Sequence, residues 1–113
     1  QIMKNIIHKD LAEGGWSKLS LMEQMGNIGS EVGRAAKWQG KDKKIFQGAV
    51  DRALELFDLT LEDPRWAGRR WEIARAREVF VDAVTGGGEY QSSLESLDRY
   101  FLPFAFVARN YAK

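Results

Sequence analysis

Five arginines fall within thirteen residues, Arg65, Arg69, Arg70, Arg75 and Arg77, and Trp66 and Trp71 are set among them. A guanidinium grips phosphate through paired hydrogen bonds, and an indole stacks on an unpaired base. The stretch therefore has the residue types of a surface for RNA or single-stranded DNA, with Arg65, Trp66, Arg69 and Arg70 as the expected contacts. The spacing weakens that case. On a helix turning about 100° per residue the guanidinium groups spread around the circumference instead of sharing one face, and Arg75 points well away from Arg70. Glu72, Glu78 and Asp82 lie close enough in sequence to neutralise several of them, so solvated or ion-paired arginines are the simpler expectation.

The residue types for other chemistry are sparse. The 113 residues contain no cysteine and one histidine, His8. That composition removes disulfide frameworks and thiolate sites, and a His-based triad or zinc site has too few ligands to form. A carboxylate-bridged dimetal centre in a helical bundle needs Glu-x-x-His pairs on two helices, and the chain has none. No catalytic residue, metal ligand or cofactor is expected. Glu31, Glu55, Asp58 and Asp82 are placed to form ion pairs between helices with Arg52, Arg75 or Arg77.

Two features point to association instead. Gly26, Gly29 and Gly33 recur within one helical segment, where each costs about 1 kcal/mol relative to Ala, so something must approach that stripe closely: a neighbouring helix or a second subunit. Trp38 falls on the otherwise polar side of the same segment, where an exposed indole would mark a contact surface. Gly26, Gly29, Gly33 and Trp38 are thus the candidate interface.

The elements that carry these residues read as helices throughout. Ser20 and Glu23 form a capping-box pattern, and Leu21, Met25, Ile28, Val32 and Ala35 follow on one stripe until Gly40. Asp42 is placed to cap a second helix over 43–61, whose apolar residues from Ile45 to Leu61 cover more than half its circumference. Such breadth suits a helix between two neighbours, or one that also meets another subunit. Asp63-Pro64 ends it and starts a third region, which Gly68 divides into a short turn and a helix over about 69–84, with Ile73, Ala76, Phe80 and Ala83 facing inward. Gly86-Gly87-Gly88 closes that helix. Ser92 with Glu95 offers a further cap, after which Leu94, Leu97, Phe101, Phe104, Ala108 and Tyr111 recur at helical steps, with Pro103 as a point of kinking or restart.

No segment alternates as a strand does. The expected architecture is all-α, an up-and-down antiparallel four-helix bundle over 16–113, with 1–15 as an arm or extra short helix. Seventeen basic residues against sixteen acidic ones leave a net charge of +1, too small to announce nucleic acid or membrane as a partner. No apolar run approaches the ~18 residues that span a bilayer. A cytoplasmic protein is the expectation, and no membrane partner.

Read in order, residues 19–32 (LSLMEQMGNIGSEV), 52–60 (RALELFDLT) and 77–82 (REVFVD) give a chain that resembles a group of short uncharacterised prokaryotic helical proteins over residues 16–109. In outline it is also similar to HEPN-like and S23-like four-helix bundles. The resemblance implies a prokaryotic source and, by analogy with S23-like bundles that assemble into rings, an oligomer or an RNA-binding bundle. It does not imply a nuclease, because the HEPN motif needs a histidine late in the chain and none follows His8. The functional expectation is a non-enzymatic, self-associating helical interaction protein, with an RNA- or single-strand-binding bundle as the alternative.

Overall fold

A computed structural model describes residues 14–86 and 93–111, with side chains to Phe101 and at Pro103. The expectations for the arm at 1–13, His8, Gly87, Gly88 and Ser92, and for the side chains of Phe104, Ala108 and Tyr111, lie outside the described residues.

The described residues form four α-helices: α1 (Leu21–Trp38), α2 (Lys43–Glu62), α3 (Arg70–Val84) and α4 (Leu94–Tyr111). Short 3-10 segments precede α1 at Trp16–Lys18 and α3 at Pro64–Arg69. Local chemistry sets most boundaries. The Ser20 hydroxyl accepts from the Glu23 N–H at 3.1 Å and the Glu23 carboxylate accepts from the Ser20 N–H at 2.8 Å, so both partners of the capping box are present. Gly40, at φ +78°, takes the left-handed conformation that ends α1. Asp42 caps α2 through the Ile45 N–H at 3.0 Å.

Asp63 caps the segment that Pro64 begins, and the split expected at Gly68 is found as a change from 3-10 to α geometry at Arg70. The cap of α4 involves Ser93 and Ser96, whose side chains each bond the other's backbone N–H, one residue later than the Ser92 and Glu95 pattern suggests. α4 continues through Pro103 as one helix.

The helices follow the order of an up-and-down bundle: each packs on its neighbour in sequence, and α4 closes back on α1. Packing is uneven. α1 lies closely along both α2 and α4, whereas α3 touches α2 and α4 over few residues. The core runs from Trp16 through Ile28 and Val32 of α1, Leu56 and Phe57 of α2, Ile73 and Phe80 of α3, to Leu94 and Phe101 of α4. Phe57 is its hub, with ring centroids 5.9 Å from Phe80 and 6.2 Å from Phe101. The broad apolar face of α2 is divided between neighbours: Phe46, Leu54 and Leu61 are half-buried against the core, and Ile45 is its exposed large hydrophobic. Its breadth is thus largely accounted for within one chain.

Candidate interaction site between α3 and α4

The start of the arginine-rich stretch is tied to the protein's own core, with Trp66 half-buried against it. Gln24, fully buried in α1, donates from Nε2 to the Trp16 carbonyl at 2.8 Å and to Asp63 Oδ2 at 3.2 Å, and its Oε1 accepts from Trp66 Nε1 at 2.8 Å. Trp16 Nε1 donates to Thr60 Oγ1 at 3.0 Å, and the Thr60 hydroxyl in turn donates to the Leu56 carbonyl at 2.8 Å. Arg65 clasps the buried Asp63 with Nε 3.0 Å from Oδ1 and Nη2 2.7 Å from Oδ2, reaches the Leu19 carbonyl, and lies over the Trp66 ring at 4.4 Å. The hydrogen bond from the Arg65 side chain, aided by those from the Arg65 backbone and Gln24, holds the Asp63 carboxyl at about 2 in spite of its burial.

Arg65, itself exposed, and the half-buried Trp66 are therefore both bonded to partners within the chain. Arg69 pairs with Glu72 at 2.9 Å, and the Arg70 Nε donates to the Leu61 carbonyl at 3.0 Å, both at the surface. Two of the expected inter-helix ion pairs are seen, Glu31 with Arg52 at 3.2 Å and Asp58 with Arg77 at 2.9 Å.

Two of the three glycines face α4 of the same chain. A Cβ on Gly29 would stand 2.7 Å from the Phe101 Cβ, and one on Gly33 would stand 2.9 Å from Asp98 Oδ1. These two positions let α4 approach α1, and Gly26 is buried on the same helix. Trp38 is half-buried with the Lys37 ammonium 5.5 Å from its ring, which corrects the expectation of an exposed indole there. The exposed tryptophan is Trp71, at 76%.

Trp71 stands on the rim of a groove of about 320 Å³ between α3 and α4. Glu72, Arg75, Ala76 and Val79 complete the α3 wall, and Ser96, Leu97 and Tyr100 form the α4 wall. The α3 residues follow one another at steps of one, three, one and three, the spacing of a single helical stripe. Ala76 and Leu97 are buried at the floor, while Trp71, Glu72, Arg75 and Tyr100 are exposed. The Arg75 guanidinium lies 5.8 Å from the Trp71 ring, and the Tyr100 ring meets Phe101 edge-on at 5.1 Å. Partial desolvation against the groove, reinforced by the nearby Glu72 carboxylate, pushes the Tyr100 phenol above its ordinary value. Among the described residues no group of three His, Asp or Glu side chains is arranged to hold a metal ion. What the groove offers is apolar area with one acid and one base at its edge, which suits binding.

In the sequence Trp71 reads as a stacking residue among the arginines, and no motif singles out Tyr100. The available signal was the second stripe on α3, through Trp71, Glu72, Arg75 and Val79, beside the inward one. No family model, curated protein or solved structure matches the chain.

Proposed function

We propose that the protein is a non-enzymatic helical interaction module that associates with itself through the α3–α4 groove. One observation carries this reading: Trp71 is 76% exposed at the edge of an apolar groove. An indole buries more apolar area than most side chains and is enriched among the residues that dominate interface energies. Removing such an anchor costs about 2 kcal/mol, roughly a 30-fold rise in Kd. Light scattering and sedimentation at micromolar to hundreds of micromolar chain test the idea. Concentration-dependent assembly that Trp71→Ala weakens supports it; a wild-type protein that stays monomeric across that range removes it.

A second reading, binding of RNA or single-stranded DNA, draws support from Arg69, Arg70 and Arg75 standing exposed around Trp71. Glu72 at the centre of that cluster and the engagement of Arg65 and Trp66 by partners within the chain weigh against it. Salt-dependent retention of a single-stranded oligonucleotide that Trp71→Ala abolishes would favour this reading.

A further inference from the structure

The α3 face of the groove is complementary to itself. With about 100° between successive residues, Glu72 and Arg75 lie roughly 30° to either side of one line along the helix, and Val79 lies within about 10° of it. Trp71 falls about 70° to one side. An acid and a base thus stand close to the line along which a second helix would make contact, one turn apart.

This arrangement discriminates between the ways two copies can meet. Side-by-side parallel pairing sets Glu72 against Glu72 and Arg75 against Arg75, which is repulsive twice over. Antiparallel pairing about a two-fold axis reverses the order and sets each acid beside a base. Resting on the self-association reading above, we propose that two copies dock α3 against α3 antiparallel. The two-fold axis passes level with the Ile73–Ala74 peptide bond, so that Glu72 of each copy meets the partner's Arg75.

Both surface side chains are compatible with that role. Glu72 and Arg75 are exposed. Arg69 bonds only Oε1 of Glu72, so the carboxylate can keep that contact and accept another. The same symmetry places both Trp71 rings on one flank of the contact, separated by five residues of helix rise or about 7.5 Å along the axis. That is close enough for each indole to be covered by the other copy.

Sedimentation of Glu72→Arg, Arg75→Glu and the double exchange tests the register, with circular dichroism confirming that each variant keeps its helices. Either single change creates two like-charge contacts and is expected to raise the dimer Kd about tenfold or more, while the double exchange restores the pairing with signs reversed and brings Kd back toward wild type. Because the chain has no cysteine, single-cysteine variants add an independent readout. Chains carrying Glu72→Cys and Arg75→Cys, mixed and oxidised, should form the mixed disulfide in preference to either symmetric one. Singles that leave Kd unchanged, a double exchange no better than the singles, or a preference for symmetric disulfides would overturn the antiparallel register. If Trp71→Ala still weakens assembly in that case, self-association through the groove stands without it; a monomeric wild type removes both.

Discussion

Gly29 of α1 lies directly against Phe101 of α4, so close that a methyl group on its Cα would fall 2.7 Å from the Phe101 Cβ. One turn on, Gly33 faces Asp98, where the obstructing atom is a carboxylate oxygen at 2.9 Å. The difference lies in what can yield. A Cβ moves only with its backbone, whereas a carboxylate swings aside by rotation about its own side-chain bonds. Gly29→Ala is therefore expected to destabilise the protein by about 1–3 kcal/mol through overpacking, exceeding the helix-propensity gain. Gly33→Ala is expected to be neutral or stabilising by up to about 1 kcal/mol. Urea midpoints of the two variants decide it, and equal shifts in the same direction would contradict the geometry.

The buried side chain of Gln24 makes a second prediction. Gln24→Leu leaves the Trp66 indole N–H and the Trp16 carbonyl without their partner and removes one donor from Asp63. Leaving buried polar groups unsatisfied costs about 1–3 kcal/mol each, so a loss of about 3 kcal/mol is expected. Trp66→Phe removes only one of these bonds and is expected to lose about 1 kcal/mol of hydrogen-bond stabilisation beyond its change in packing. A double-mutant cycle between positions 24 and 66 should show them strongly non-additive.

Acid stability should report Asp63. Its carboxyl titrates near 2 in the folded protein against 3.8 for the unperturbed group, so the unfolded chain takes up a proton first as pH falls. The stabilisation is complete above about pH 4 and is lost as pH drops through the folded value near 2. In Asp63→Asn that part of the acid limb disappears, and stability at neutral pH falls by about 2 kcal/mol as a charge-assisted clasp becomes a neutral one. Denaturation midpoints of wild type and variant between pH 2 and pH 6 check both the sign and the window.

Fluorescence separates the tryptophans. Trp16 is 3% exposed and Trp71 is 76% exposed. In dilute solution a polar quencher should reach Trp71 first, and Trp71→Phe should remove most of the readily quenched, red-shifted emission. Raising the protein concentration should protect that same component.

The boundaries of the fold were readable because their causes are local. Ser20 reaches Glu23, Asp42 reaches the Ile45 N–H, and Pro64 follows its own Asp63 cap, all within three residues. The glycine stripe announced a close approach, but its counterpart is Phe101, far along the chain, and no local window could choose between another helix of this chain and another subunit. The exposure expected of Trp38 failed for the same reason. Exposure depends on what a distant segment covers, and the periodicity of one helix cannot report that. The arginines divide similarly: Arg65 finds Asp63 two residues away, but its contact with the Leu19 carbonyl spans 46 residues of chain.

α1 is packed closely on α2 and α4, while α3 meets its neighbours over fewer residues and is held chiefly by Ile73, Phe80 and the Arg77–Asp58 pair, so α3 is expected to be the first helix to open. Amides of α3 are then the ones that exchange with solvent through partial opening, ahead of global unfolding. The helix that presents Trp71 is thus the helix with the most stability to gain, and a bound partner would show itself as slowed exchange there before it altered any other part of the protein.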